Sequence, residues 1–250
     1  MRRAGGLRAL TTGSVRGLEK KPPRGPPSGR ALAHAAAVRI ARFGRANEFS
    51  DWGSAHHSFT YCNALHQALK RASGGGTELD EGDQTGVRGV YHGAMTLYLN
   101  RYLNVPPAPL PGARGRSLDT LPDRSDRLLR ALLESFDRKG EGEIAARLVA
   151  RYLRLGHPHD RLIATLAHAV LREDADFHAY QMLEATARQF ADANGGPRAH
   201  VFLIAAARFL AARFPTERAQ QQTAAIARRL HRGGRIHADV AGAEPNAAGA

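Results

Sequence analysis

The chain has 250 residues, 43% of them hydrophobic, which is enough to core one large domain or two small ones. Its formal charge is +13, but residues 1–30 carry eight Lys or Arg against one Glu, so +7 of that total lies at the start and +6 is spread over the rest. That modest excess, with no basic run interleaved with aromatics, points away from specific nucleic-acid binding, and a single Cys excludes an intramolecular disulfide and any Cys-based zinc or iron–sulfur centre within this chain.

The first thirty residues are rich in Arg, Pro and Gly and poor in acid, the composition of a disordered basic head. Their Pro-Pro pairs spoil the amphipathic helix of an organelle transit sequence, so a spurious or truncated start is the expected reading. No stretch approaches the ~20 apolar residues of a membrane span, and one Cys suits a reducing, cytoplasmic setting. Ordered structure is expected from Ala31, as one helical domain over residues 31–235 with a disordered tail over 236–250. His34, in the first helix former of that region, reads as a helix-surface imidazole.

Asp51 to Lys70, D-W-G-S-A-H-H-S-F-T-Y-C-N-A-L-H-Q-A-L-K, holds the only Trp, the only Cys and three of the twelve His. The spacing predicts a helix over Ala55–Arg71, with Ser54 as its cap. Phe59, Cys62, Leu65 and Leu69 make the apolar face, while His56, Thr60, Asn63 and Gln67 fall on one stripe with His66 beside its end. A solvated stripe usually carries Lys and Glu. Uncharged amides and imidazoles suggest instead groups that are partly buried and hydrogen-bonded, or that face a cavity.

Residues 73–86 form a flexible acidic loop without the ligand spacing of a calcium site. Thr85–Asn104 follows as a helix that is apolar over most of its circumference and therefore expected at the centre, with a narrow polar line of Arg88, His92, Thr96 and Asn100. The prolines after Val105 stop it, and 105–123 is a Pro/Gly/Arg loop. Six more helices are predicted: Arg124–Asp137, Glu143–Leu155, Asp160–Arg172, Asp174–Asp192, Arg198–Arg213 and Thr216–His231. No segment shows strand alternation, so the fold class is all-α, a multi-helix bundle or a short array of helical hairpins.

Leu166 to Ala185 is the second chemically dense stretch. There His178 stands one turn after Asp174, and His168 lies on the polar side with Arg161 and Thr165. His57 (or His56), His92, His168 and His178 are therefore candidate metal ligands from four helices, able to hold zinc or iron if their polar lines converge on one interior site. The competing reading gives each imidazole a neighbour to hydrogen-bond or a helix to cap, because the chain has neither a Glu-x-x-His nor a His-x-x-x-His pair. Convergence would bring His56 or His57 close enough to His92, His168 or His178 to share an ion, with ligating nitrogens about 3 to 4 Å apart.

Other features read as structural. His159-Asp160 spells a phosphohydrolase dipeptide, but sits at a helix start where Asp favours the dipole. Cys62 reads as a small buried hydrophobe, Trp52 as a packing anchor, and Tyr61 and the Tyr and Leu of Y-L-N-R-Y-L as core.

D-W-G-S-A-H-H-S-F-T-Y-C-N-A-L-H-Q-A-L, R-G-V-Y-H-G-A-M-T-L-Y-L-N-R-Y-L-N-V-P-P-A-P-L-P, L-R-E-D-A-D-F-H-A-Y-Q-M-L-E-A and P-T-E-R-A-Q-Q-Q-T-A-A-I-A-R-R-L-H-R-G resemble a little-characterised bacterial helical family. Its members often carry a Rieske-type [2Fe-2S] label because a Rieske domain accompanies the helical region. The resemblance covers roughly residues 31 to 235. It implies a Rieske-type or other redox partner on a lost extension or another chain, since a Rieske cluster needs two Cys and two His and one Cys is present. Two functions follow from different classes: a metal-using, redox- or oxygenase-associated helical domain, or a non-catalytic α-helical interaction module.

Overall fold

The run Val201–Ala211, apolar but for Arg208, organises the structure, because all eleven of its residues are buried, and a helix apolar on nearly every side must be enclosed by others. The structure, a computed structural model, describes residues 27–44, 49–72, 84–113 and 117–234. Among these it contains nine α-helices and no strand. They are α1 (Pro27–Ala41), α2 (Phe49–Ala72), α3 (Gln84–Leu99), α4 (Ser125–Phe136), α5 (Gly142–Arg154), α6 (His159–Leu171), α7 (Phe177–Asp192), α8 (His200–Arg213) and α9 (Ala219–His231), with a 3-10 turn over Asn100–Tyr102. The all-α expectation is borne out.

Helix α8 is the axis. It packs chiefly on α1, α5 and α7, while α2 lies across α1 and against α7. One hydrophobic core runs from Ala33 to Phe214 and draws on every helix from α1 to α8 except α3, of which only Leu97 packs against it. Alanines at 33, 36, 37, 205, 206 and 207 let α1 and α8 approach closely, and the bulk is supplied by Phe43, Phe59, Phe136, Phe202 and Phe209. Trp52 meets Phe43 edge-on at 4.8 Å, so it anchors the start of α2 as expected. Cys62 is fully buried, and burial pushes its thiol up to about 11, which leaves it an inert small hydrophobe.

Several boundaries differ from the sequence reading. The first helix starts at Pro27, so residues 27–30, assigned to the disordered head, are helical; the remaining expectations for the head, the tail and most of the 73–86 loop lie outside the described residues. Helix α2 begins at Phe49, and Ser54 is not its cap but an interior residue whose hydroxyl donates to the carbonyl of Ser50. The largest correction concerns α3, which is peripheral. Its buried residues are Gly86 and Gly93, whereas Tyr98, Leu99 and Tyr102, expected in the core, are exposed. Gly86, Gly89 and Gly93 let the backbone of α3 lie close on its neighbours along one line, and the bulky apolar residues opposite them turn outward.

Candidate functional site

The polar stripe on α2 is buried against α7, and almost every group on it is matched. The Gln189 amide donates to the side-chain oxygen of Asn63 at 2.8 Å and lies 3.2 Å from Nδ1 of His66 through its oxygen. Asn63 in turn donates to Glu184 at 3.3 Å, and Gln67 and Lys70 both donate to Asp192, at 2.7 and 2.6 Å. Polar groups excluded from water have to find partners, and this seam gives the uncharged stripe its physical reason.

At its N-terminal end the seam changes character. His56, His57 and His178 each offer a ring nitrogen such that all three lie within 4.8 Å of one another. Nε2 of His57 and Nε2 of His178 are 3.1 Å apart, inside the separation allowed to two ligands of one ion. This is the approach that the sequence expectation demanded of α2 and α7. His178 is oriented by Asp176, the cap of α7, whose one carboxylate oxygen accepts the backbone N–H of His178 and Ala179 at 3.1 and 3.2 Å. Its other oxygen lies 3.0 Å from Nδ1 of His178 and also pairs with Arg213 of α8. The carboxylate thereby holds the proton of His178 on Nδ1 and leaves the Nε2 lone pair facing His57. The carboxylate on His178 is thus Asp176, two residues before it, and not Asp174 one turn before it, because α7 starts at Phe177 and not at Asp174.

His56 is the most constrained of the three. It is fully buried, its ring stacks on Phe209 at 4.8 Å, and neither ring nitrogen has a hydrogen-bond partner. Burial first, then the neighbouring His178 and His57, depress its pKa to about 4; an approach to the His178 backbone, too poorly aligned to count as a hydrogen bond, opposes this, and the cation of Arg213 adds the smallest lowering. The ring is therefore neutral at pH 7 and able to act as a ligand. Two unpartnered nitrogens on one buried ring are costly, and an ion bound beside it would satisfy one of them. His57 is exposed and His178 half-buried, so the cluster opens to solvent on one side.

His92 and His168 do not join this group. Both are exposed, His92 on the side of α3 between its glycine face and its apolar face, and His168 near the end of α6 beside the buried pair Ala169 and Val170. Each belongs to a helix whose packing points that residue outward, which correct side-chain periodicity alone does not reveal. His56, kept in the sequence reading as the alternative to His57, is a member together with it. Consecutive residues on a helix point about 100° apart, and both reach one site because it lies between their directions. His159 proves to be packed edge-on to Phe190 at 4.9 Å at the start of α6, in keeping with its structural reading.

Comparison with protein-family models, with curated proteins and with solved structures gave no match.

Proposed function

We propose that the protein is a helical metal-binding domain that holds one transition-metal ion on His56, His57 and His178. The observation that carries the reading is the buried, unpartnered imidazole of His56 beside two imidazole nitrogens 3.1 Å apart. Three imidazole nitrogen donors without thiolate or direct carboxylate suit zinc, and also iron, copper or nickel. Asp176 supplies the outer carboxylate that commonly orients a ligating histidine. Three protein ligands and an open side leave a coordination position for water or a small ligand, as in catalytic rather than structural zinc sites. A redox or oxygenase association, with a Rieske-type partner, is a further part of the proposal and rests on the resemblance of the four sequence stretches alone. Among the described residues no helix is long and apolar enough to cross a membrane.

Metal analysis of the full chain, after equilibration with zinc or iron(II) and dialysis, tests the reading. About one equivalent is expected in the wild type and in H92A and H168A, and less than a tenth of that in H57A and H178A. His56→Phe, which keeps an aromatic ring on Phe209, should also lose the metal while remaining folded by circular dichroism. A folded wild type that retains no metal would sink the proposal, as would full retention in the H57A/H178A double variant. The interaction-module reading would then stand.

A further inference from the structure

We infer that the outward face of α3 is a self-association surface on which two copies of this chain pair as antiparallel helices about a twofold axis near Met95. The inference is independent of the metal site. Helix α3 is arranged inside out: glycine faces the protein and bulky apolar residues face solvent. A Cβ at Gly93 would stand 3.0 Å from the Leu32 side chain, and one at Gly89 only 2.6 Å from that of Leu65, so those leucines would have to move to admit side chains at these two positions. Tyr61 further fixes this face by donating its hydroxyl to the carbonyl of Gly89 at 3.1 Å, and Asn100 donates to Ser58 at 2.9 Å.

On the opposite face stand Val87, Tyr91, Met95, Tyr98 and Leu99, continued by Tyr102 in the 3-10 turn, with exposures from 43% at Val87 to 72% at Tyr102. At helical spacing they fall within a sector of roughly 120°. An unpartnered surface helix would place such residues inward, and singly exposed apolar residues are ordinary, but a continuous stripe of six marks an interface. Full burial of their exposed surface, roughly 750 Å², is the most the stripe can contribute, against the ~800 Å² per partner of a standard stable interface. Tyr and Met are also residue types enriched at interface cores.

The central row of the stripe suits a second copy because it is symmetric about Met95: Tyr91 lies four residues before it and Leu99 four after. The same twofold sets Val87 against Leu103, and Tyr98 and Tyr102 against His92 and Arg88. An isologous twofold contact needs a self-complementary surface, and antiparallel pairing brings Tyr91 of one copy onto Leu99 of the other, with Met95 against Met95. The rim is basic in both copies. Arg88 flanks the stripe, and the guanidinium of Arg101 packs over Tyr98 and Tyr102 at 3.7 and 4.0 Å from their ring centroids. Like charges at the rim oppose association, so salt, by screening them, should strengthen the pairing.

Sedimentation equilibrium of the full chain reads this directly. The wild type is expected to reach twice the 27.0 kDa chain mass at tens of micromolar, and to dimerise more tightly at 500 than at 50 mM salt. Tyr91→Glu and Met95→Glu change exposed residues, should keep the helical circular dichroism, and should weaken dimerisation at least a hundredfold. In a Cys62→Ala background, Met95→Cys should cross-link to a dimer under mild oxidation, whereas Ile226→Cys, also exposed, should not. A wild type that stays monomeric at 200 µM overturns the inference, as does a dimer indifferent to both Glu variants. Tyr91-dependent binding of a monomer to vesicles containing phosphatidylserine would also overturn it, since the stripe would then serve a membrane surface.

Discussion

Asp176 performs two jobs with one carboxylate: it caps α7 through the N–H groups of His178 and Ala179, and it holds the His178 ring through Nδ1. The two can be separated chemically. Asn is as good a helix cap as Asp, but it lacks the charge that strengthens the imidazole as a ligand and that pairs with Arg213. Asp176→Asn should therefore leave thermal stability within about 1 kcal/mol of wild type, while weakening zinc affinity roughly 10- to 100-fold in a competition titration. Equal affinity in the two proteins would remove Asp176 from the site and leave it a cap only.

At the scale of elements, α9 has the least tertiary support of the helices. None of its residues is fully buried, and its contacts with other helices are few. Its N-terminus is instead tied by Asp174, whose carboxylate accepts the backbone N–H groups of Ala219 and Gln220 at 2.7 and 3.0 Å, and Gln221 donates to the carbonyl of Arg172 at 2.7 Å. Because capping substitutes for packing here, Asp174→Ala should cost about 1 kcal/mol locally. Hydrogen exchange should accelerate several-fold over 219–231 and stay unchanged over Val201–Ala211; uniform acceleration of both would show that α9 is coupled to the core after all. The opposite case is α8, which is buried without a break from Val201 to Ala211. Its Arg208 is tolerated in the core because it donates to the carbonyl of Phe43 at 2.5 Å and pairs with Glu143.

Across the whole molecule, the ends of α4 and α6 and the segment leading into α9 are joined by one ionic cluster. Asp137 pairs with Arg172 and Arg218, and Arg218 donates to Glu173 through Nε at 2.9 Å. Glu173 also accepts the backbone N–H and the hydroxyl of Thr216, both at 2.8 Å, and its carboxylate is wholly buried. Burial alone would raise its pKa, but the bonds from Arg218 and Thr216 outweigh burial and hold it below the ordinary value of 4.5. The unfolded chain therefore binds this proton more readily than the folded one. The stabilisation is complete above about pH 4.5 and is lost as pH falls through the lowered folded value. Glu173→Gln should cost about 3 kcal/mol at pH 7, as removal of one partner from a buried pair does, and should lose less further stability than wild type as the pH drops below 4.5 in urea titrations. Parallel acid limbs in the two proteins would contradict this account.

The helical fold was legible in the chain because its causes are local: the spacing of apolar residues, and the Gly and Pro that stop each helix, such as the prolines after Val105. The uncharged stripe on α2 likewise announced burial, since no solvated face would carry His56, Asn63 and Gln67 without charge. What faces that stripe was not legible. Any of several His-bearing helices could have met it by periodicity, and only the placement of α7 between α2 and α8 selects His178 and leaves His92 and His168 outside. The orientation of α3 was hidden for the same reason. Its helical pattern contains a glycine face and an aromatic face, and hydrophobicity alone assigns the aromatic one to the interior. Leu32 and Leu65 reverse that choice by occupying the space in which side chains at Gly93 and Gly89 would have to lie, so the close approach of three backbones, a non-local property, sets which face the solvent sees.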